Sequence, residues 1–153
     1  MIPSALYDRI TALMPVATVE AMILKDSSLL FLRRKNDPAG GEWWFPGGRI
    51  MKGETFEETL FREIKEETHL DFEVVKMVGV YSRVFPERHD ITVVFLCKCF
   101  SDKVILNNEH SEYKFFNEVP SETNPYLLKA IEDSGWRQSA QTERAHAEKR
   151  GSE

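Results

Sequence analysis

The segment over residues 47–70, GGRIMKGETFEETLFREIKEETHL, constrains the fold most, because a glycine pair leads into a strongly patterned helix. Thr55 and Glu58 have the spacing of a capping box, which predicts that the helix begins at this point. Three apolar residues recur at the helical period and predict its buried stripe, namely Phe56, Leu60 and Ile64. The segment therefore predicts a close backbone approach followed by an amphipathic helix.

Three glutamates occupy a second face of that helix. Glu63, Glu66 and Glu67 lie at positions i, i+3 and i+4, so their carboxylates point in one direction. Each like-charged pair costs about 0.2–0.5 kcal/mol on an exposed helix, and a divalent cation would turn this repulsion into attraction. Carboxylates suit magnesium, or manganese as the alternative, better than zinc. A solvated acidic helix face is the competing interpretation.

The full spacing resembles the Nudix box, G-x5-E-x7-R-E-U-x-E-E-x-G-U, in which U is a bulky aliphatic residue. Its fixed positions are filled in this chain by Gly48, Glu54, Arg62, Glu63, Ile64, Glu66, Glu67 and Leu70. His69 stands where the pattern has its second glycine, at the end of the helix, where glycine would ease a left-handed turn. The resemblance implies the Nudix fold, an α+β architecture with a mixed β-sheet sandwiched between helices.

The resemblance also implies roles for individual residues of the segment. The magnesium ligands that it implies are the carbonyl of Gly47 and the carboxylates of Glu63, Glu66 and Glu67. Glu66 and Arg62 are thereby candidate catalytic residues, with Arg62 orienting a glutamate. Glu54 would support the metal-binding helix without touching the ion, as outer groups of metal sites commonly do.

The order of the other predicted elements agrees with this fold class, because strands and helices are mixed without regular βαβ alternation. We predict helices over residues 3–14 and 126–134, strands over residues 16–24, 29–33, 72–84, 91–100 and 113–117, and a polar loop over residues 101–111. Gly79 is a candidate break in the longest strand. Leu127, Leu128 and Ile131 are the predicted buried residues of the last helix.

The composition is typical of one globular domain. The chain has 153 residues, of which 42% are hydrophobic and 29% are charged. We expect a single domain over residues 1–136 and a disordered tail over residues 137–153, which contain almost no large apolar residue. The net charge of −5 argues against a nucleic-acid-binding surface but not against a small nucleotide, whose phosphates a metal can neutralise.

The sequence also bears on location. It contains no hydrophobic run of 18 or more residues, so no membrane span is predicted. The first residues lack a basic region followed by an apolar core and do not predict a secretory signal. Cys97 and Cys99 lie at i and i+2 of a predicted strand, where a disulfide forms poorly. A reduced, cytoplasmic protein is the resulting expectation.

Residues near the glycine pair are candidates for substrate contact. Arg34 lies in a short basic run and is a candidate phosphate ligand, because guanidinium binds phosphate bidentately; a solvated strand end is the competing interpretation. Trp43 and Trp44 point to opposite faces of a strand. One of them is therefore expected in the core, and the other is a candidate for stacking on a base or for a dimer contact.

The segment NNEHSEY over residues 107–113 supplies a candidate general base. His110 lies between Glu109 and Glu112, and these carboxylates predict a raised pKa suited to proton transfer near neutral pH. A solvated loop histidine is the competing interpretation. His89 has similar chemistry in another predicted loop but matches no motif.

A closer resemblance concerns residues 2–136. The stretches IPSALYDRI, MPVATVEAMIL, PAGGEWWFPGGR and EHSEY are together similar to the GDP-mannose mannosyl hydrolase branch of the Nudix family. By position, this resemblance implies His110 as the general base, Glu109 as a further metal ligand and Arg49 as the residue that assists the departing diphosphate. Such enzymes release sugar and GDP by attack at the sugar carbon. This chain, in contrast, has the full set of Arg62, Glu63, Glu66 and Glu67, as ordinary Nudix pyrophosphatases do.

These observations predict a magnesium-dependent hydrolase of a nucleoside diphosphate linked to another group, with a nucleotide-sugar such as GDP-mannose as the first choice. The alternative enzyme is a pyrophosphatase acting on a modified nucleoside triphosphate, ADP-ribose or a dinucleoside polyphosphate. A third interpretation is a nucleotide-binding Nudix protein without turnover, against which the full carboxylate set argues. The expected partner is a small nucleotide, and a homodimer through the first helix and an exposed tryptophan is a further candidate.

Overall fold

The computed structural model of the protein describes residues 2–37, 39–136 and 150–151. Its helices and strands in chain order are α1 (Ser4–Leu13), β1 (Val16–Lys25), β2 (Ser28–Arg34), β3 (Trp43–Trp44), β4 (Gly47–Arg49), α2 (Phe56–Thr68), β5 (Phe72–Val84), β6 (His89–Cys99), β7 (His110–Phe116) and α3 (Pro125–Ser134). The tail predicted over residues 137–153 lies, apart from residues 150–151, outside the described residues.

The strands form one mixed sheet in the order β3-β2-β1-β6-β5. β1 and β6 run parallel, whereas β5 and β6 are antiparallel. β1 pairs with β2 at Leu24 and Lys25, next to the hairpin turn, but residues 18–20 of β1 pair with β4. β2 pairs in turn with β3 and β7. β1 and β2 therefore diverge beyond the turn, where β1 pairs with β4 and β2 pairs with β7.

Each face of the sheet is covered by one helix. Val19, Ala21 and Ile23 alternate along β1 and pack on one face in a core with two residues of α2, Leu60 and Ile64. Met22 points to the other face and packs in a second core with residues of α3, namely Leu127, Ala130 and Ile131. The sheet thus lies between helices, and the predicted α+β class with a mixed sheet is confirmed.

The ends of α2 follow from local chemistry. The Thr55 side chain accepts a hydrogen bond from the Glu58 backbone N–H at 3.2 Å, and the Glu58 carboxylate accepts one from the Thr55 N–H at 3.1 Å, so the capping box is confirmed. His69 ends the helix with a left-handed φ of 59°, the conformation for which glycine is preferred. Phe56 was wrongly predicted as buried: it is the first helical residue, is 46% exposed, and packs at the edge of the core against Phe95.

Several other predictions need correction. β7 begins at His110, so this residue is in a strand and not in the predicted loop. β6 begins at His89, two residues before the predicted start. Leu128 is 43% exposed, because the buried stripe of α3 runs through Leu127 and its i+3 and i+4 neighbours. β5 is continuous, and its pairing register with β6 shifts just before Gly79.

The helix α1 is the least buried element. It has no buried residue, and Leu13 at its end is 78% exposed. Tyr7 links it to the sheet: the Arg49 guanidinium lies 5.1 Å from the ring centroid, and Arg88 donates a hydrogen bond to the hydroxyl at 3.1 Å. The dimer contact through this helix stays a prediction. None of the helices formed by the described residues is long and apolar enough to cross a membrane.

Candidate active site

Arg62 connects several residues of the site through its hydrogen bonds. Its Nε and Nη2 each donate to the Glu54 carboxylate at 2.8 Å, and its Nη1 donates to Glu63 Oε1 at 2.6 Å. Nη2 also donates to the Arg49 carbonyl at 3.0 Å, which ties α2 to β4. Glu66 lies farther away, at 3.9 Å from Nη1, so the carboxylates closest to Arg62 are those of Glu54 and Glu63.

Glu67 is the most enclosed carboxylate of the site. It is 3% exposed, and its Oε2 accepts a hydrogen bond from the Gly47 N–H at 3.1 Å. Burial raises its pKa well above the usual range, and the charges of Glu63 and Glu109 raise it further. A carboxylate that is hard to ionise in this position is stabilised by a nearby cation, so the surroundings of Glu67 fit a metal ligand.

The glycine pair lets β4 pass close to α2 and β1. A Cβ at Gly48 would collide with the Glu63 carboxylate, and a Cβ at Gly47 would collide with the backbone of Val19 and Glu20. Glu63 is itself half-buried, and burial raises its pKa, although the hydrogen bond from Arg62 acts in the opposite direction. The pair therefore sets the distance between the strand and the carboxylates of α2.

Glu67, Glu109 and His110 come together from α2 and from the start of β7. Their ligand atoms all lie within 4.8 Å of one another, although 42 residues separate Glu67 from Glu109 in the sequence and 43 separate it from His110. Glu67 and His110 are buried, and Glu109 is exposed. We call these three residues the Glu67 cluster. It brings two of the predicted metal ligands, Glu67 and Glu109, together with the predicted general base.

The prediction that neighbouring carboxylates raise the pKa of His110 is wrong. His110 is 5% exposed, and burial lowers its pKa to about 4, with further lowering by the positive charges of Arg34 and Lys35. The contribution of Arg34 comes from the pairing of β7 with β2, which sets His110 opposite this residue. At neutral pH the imidazole is therefore uncharged and able to accept a proton.

The remaining predicted site residues lie around this centre. The Glu66 side chain is 59% exposed and projects from α2 beside Arg62. Arg49 ends β4 and stacks over Tyr7. Trp44 is the core tryptophan, with its Nε1 donating to Glu20 at 2.8 Å. Trp43 is half-buried against Arg33 and Phe116.

A polar cleft adjoins the glycine pair and contains residues that the sequence analysis did not identify. Its lining includes Gly47, Gly48, Arg34 and Trp44, and also four charged residues from β1, β5, β6 and the loop before β6: Glu20, Arg83, Arg88 and Asp90. Arg83 donates to Glu20 Oε1 at 2.5 Å. The sequence does hold a signal for this cleft, because Glu20 interrupts an otherwise apolar strand, and a charge in a buried strand is retained only with a partner.

The donor set fits a hard divalent cation. Carboxylate oxygens predominate, burial and mutual repulsion raise the pKa values of Glu63 and Glu67, and one imidazole lies within reach. Glu63, Glu67 and Glu109 would hold such an ion, with Glu66 at its exposed side. The Gly47 N–H hydrogen bond keeps the Glu67 carboxylate in a fixed orientation.

Comparison with known proteins agrees with this geometry. A family model of the NUDIX domain matches residues 14–127. The chain is 38% identical over 110 residues to an ADP-ribose pyrophosphatase of Methanocaldococcus jannaschii, a match that covers 69% of this chain and 65% of that relative's length. It is 26% identical over 139 residues to the low-salt glycan biosynthesis protein Agl8 of Haloferax volcanii, covering 86% of this chain and 89% of that protein.

Solved structures share the fold. A MutT NUDIX hydrolase from Burkholderia pseudomallei superposes with a TM-score of 0.71 at 25% identity, covering 78% of this chain and 98% of that one. A MutT protein from Methanosarcina mazei Go1 gives a TM-score of 0.71 at 26% identity, covering 78% and 93%. Because the family model spans more than half of the chain and the architecture is shared, the chain belongs to the NUDIX domain family.

Proposed function

We propose that the protein hydrolyses a nucleotide-sugar in a magnesium-dependent reaction, releasing the sugar and a nucleoside diphosphate, with GDP-mannose as the first candidate substrate. The observation that carries the proposal is the Glu67 cluster, in which a neutral, buried imidazole lies within 4.8 Å of two carboxylates beside a polar cleft. The similarity to a glycan biosynthesis protein over 86% of the chain is consistent with a sugar-bearing substrate.

The chain's own residues have distinct parts in the proposed reaction. Glu63, Glu66, Glu67 and Glu109, with the Gly47 carbonyl, would hold magnesium, which neutralises charge on the diphosphate when bound. His110 would take the proton of the attacking water, because its pKa of about 4 leaves it deprotonated at neutral pH. Arg34 and Arg49 would contact phosphate oxygens, since guanidinium groups bind phosphate bidentately.

The two tryptophans have different parts in this proposal. Trp44 lines the cleft and is fixed through its indole N–H by Glu20, so it would form an apolar wall for the substrate. Trp43 does not line the cleft and packs on its neighbours Arg33 and Phe116, and we propose for it an outer contact to the base.

The unpaired, buried cysteines Cys97 and Cys99 support a cytoplasmic location.

A pyrophosphatase acting on ADP-ribose is the second candidate. The observations that favour it are the full set of Arg62, Glu63, Glu66 and Glu67 in the box and the similarity to an ADP-ribose pyrophosphatase, at 38% identity. Both candidates share the substrate class of a nucleoside diphosphate joined to a sugar. They differ in the bond that breaks, which is the bond from the sugar carbon to oxygen in the first candidate and a phosphorus–oxygen bond in the second.

Hydrolysis in oxygen-18 water separates the two candidates. GDP-mannose and ADP-ribose would each be incubated with the protein and magnesium, and the products identified by mass spectrometry. Label in the free sugar, with unlabelled nucleoside diphosphate, supports attack at carbon. A nucleoside monophosphate and a sugar phosphate, with label in one of the phosphates, overturn the first candidate in favour of the second. Glu67→Gln is the control, and turnover that persists unchanged in this variant would exclude the proposed site.

A further inference from the structure

Arg83 has an unusual environment in the cleft. Its side chain is 1% exposed, and its Nη1 donates to Glu20 Oε1 at 2.5 Å. The guanidinium also lies near the rings of Trp44 and Tyr81. Among the described residues, however, no acceptor is hydrogen-bonded to its Nε or Nη2. Two buried N–H groups of a charged side chain without partners are costly, so this edge fits a ligand that supplies acceptors.

The two unpaired groups form one edge of the guanidinium, which we call the open edge of Arg83. The N–H bonds of Nε and Nη2 point in parallel and bind two adjacent oxygen atoms together. Arg62 uses the same edge to hold both oxygens of Glu54 at 2.8 Å. Arg83 lines the cleft, and the edge that is occupied in Arg62 has no partner among the described residues in Arg83.

The charges around the open edge disfavour an anionic occupant. Glu20 balances Arg83, and Asp90 balances Arg88, whose Nη2 donates to Asp90 Oδ2 at 3.0 Å. These two pairs sum to zero, and both carboxylates would repel a terminal phosphate. Arg34 adds a positive charge to the cleft lining, but it lies near Glu67 and His110, where its charge lowers the pKa of both, and so belongs to the end of the cleft next to the carboxylate site. Asp90 Oδ1 is buried and lies 2.8 Å from Arg88 Nε in an ion pair, and a carboxylate oxygen has a further lone pair with which it can accept a hydrogen bond.

The occupant must therefore be neutral and must both accept and donate hydrogen bonds. Sugar hydroxyls do both, because each has one O–H donor and two acceptor lone pairs. A nucleobase also has donors and acceptors, but a ribose separates it from the phosphates. The cleft shares Gly47 and Gly48 with the carboxylate site, so a group in the cleft would lie next to the phosphates that this site would hold, which is the position of the sugar in a nucleotide-sugar.

Resting on the function proposed above, we propose that Arg83 determines specificity for the sugar of the substrate: its open edge donates to two neighbouring hydroxyl oxygens, while Asp90 accepts from a hydroxyl. Glu20 is a positioning residue in this arrangement, because it fixes the guanidinium from the side of Nη1. The cleft thereby distinguishes a diphosphate that carries a sugar from one that carries a further phosphate.

The test compares binding of nucleotide-sugars with binding of the matching diphosphates. GDP-mannose and GDP, and ADP-ribose and ADP, would be titrated calorimetrically into wild type and Arg83→Lys in the presence of Ca²⁺ in place of Mg²⁺ to slow hydrolysis. Lysine keeps the charge beside Glu20 but loses the fork. We expect the affinity for at least one nucleotide-sugar to fall by about 10-fold or more, and that for GDP and ADP by less than about 3-fold. Arg9→Lys, at an exposed position of α1, is the matched control.

Equal losses for the sugar-bearing ligands and the plain diphosphates would overturn the proposal, as would unchanged binding in Arg83→Lys. Analogues of GDP-mannose and ADP-ribose that lack one sugar hydroxyl provide a test that needs no variant: the wild-type protein should bind at least one of them about 10-fold less tightly. If none is weakened, Arg83 does not contact the sugar. A selective loss of sugar binding without turnover of either nucleotide-sugar would support this inference and reject the proposed function.

Discussion

Arg62 donates hydrogen bonds to the Glu54 carboxylate from both Nε and Nη2 at 2.8 Å, and the same guanidinium donates from Nη1 to Glu63 at 2.6 Å. One side chain thus links the loop before α2 to a proposed metal ligand on α2. The hydrogen bond from Arg62 is the main cause that lowers the pKa of Glu54 to about 2. Such outer contacts set the orientation of ligands at a metal site.

Replacing Arg62 therefore tests whether turnover depends on its planar guanidinium group or only on its positive charge. We expect Arg62→Ala to lower turnover by about 10–100-fold, because the Glu63 carboxylate loses its fixed orientation. Arg62→Lys should lower it less, since lysine keeps the charge and one donor but loses the planar fork. Steady-state kinetics at saturating magnesium would measure both variants. A rate of Arg62→Lys equal to that of wild type would show that Arg62 contributes only its charge, and identical rates in the two variants would show that the retained charge contributes nothing.

The depressed pKa of Glu54 also predicts how acid affects stability. Its pKa is about 2 in the folded protein and near 4.5 when unperturbed, so the folded state binds fewer protons between these values. The stabilisation is complete above about pH 4.5 and is lost as the pH falls towards 2. In Arg62→Ala the loss of unfolding free energy over this window should be smaller, as measured by urea unfolding at each pH. If the difference in unfolding free energy between wild type and Arg62→Ala stayed constant as the pH fell from about 4.5 to 2, the assignment would be contradicted.

Replacing Glu67 and replacing Glu66 are predicted to have different effects on the stability of the metal-free protein. The raised pKa of Glu67 means that its ionisation weakens the fold as the pH rises above the unperturbed value of 4.5. Glu67→Gln should therefore raise the unfolding free energy at pH 7 without metal, whereas Glu66→Gln, at an exposed position, should leave it nearly unchanged. Thermal unfolding in a chelator would measure this.

Added magnesium is expected to reverse the order of stability of wild type and Glu67→Gln. Ligand binding stabilises the folded protein in proportion to RT ln(1 + [L]/Kd), so wild type should gain stability with added magnesium and Glu67→Gln should gain much less. Both variants should lower turnover by about 10² or more, because ligand number and charge at the metal both fall. Glu122→Gln, at an exposed loop position, is the control. A magnesium response in Glu67→Gln equal to that of wild type would exclude Glu67 as a ligand.

The sequence predicted the parts of this molecule that depend on local spacing. The capping box, the glutamate face and the sandwich of helices on a mixed sheet all follow from periodicity and from a motif of fixed length. The direction of the His110 pKa shift did not follow, because it is set first by the burial of His110 in the sheet and then by the charge of Arg34, which the pairing of β2 with β7 places opposite it. Arg83 was missed for the same reason: its partner Glu20 is 63 residues away in the chain. Charge pairs across a sheet require the strand order, which no local pattern supplies.

His110 provides a test of the proposed base. With a pKa of about 4, its imidazole is deprotonated over the neutral range, so the rate should be flat near pH 7 and fall as the pH approaches 4. His110→Gln should slow turnover by about 10²–10⁴-fold and remove this acidic decline, while magnesium affinity stays nearly unchanged. Rates from pH 4 to 8 and metal titrations would measure both. A loss of only a few-fold would reject His110 as the base, and a loss of magnesium affinity would make it a metal ligand instead.

The two glycines at the start of β4 supply a final test, because an added methyl group would meet different atoms at each. A Cβ at Gly48 would strike the end of the Glu63 side chain, which can turn aside only by leaving Arg62. A Cβ at Gly47 would strike the backbone of Val19 and Glu20, which cannot turn aside without separating β4 from β1. The first change displaces a proposed metal ligand, and the second disrupts the sheet.

Gly48→Ala should therefore lower turnover by about 10-fold or more, with weaker magnesium binding and a nearly unchanged unfolding free energy in the absence of metal. Gly47→Ala should lower the unfolding free energy itself, by about 1–3 kcal/mol, as overpacking of a well-packed site does. Chemical unfolding in a chelator, paired with magnesium titration of each folded variant, separates the two effects. Gly53→Ala is an informative comparison, because its left-handed φ of 92° strains alanine although no atom lies near the added Cβ. If Gly48→Ala destabilised the metal-free protein as much as Gly47→Ala, the contact with Glu63 would be part of the packing and not of the metal site.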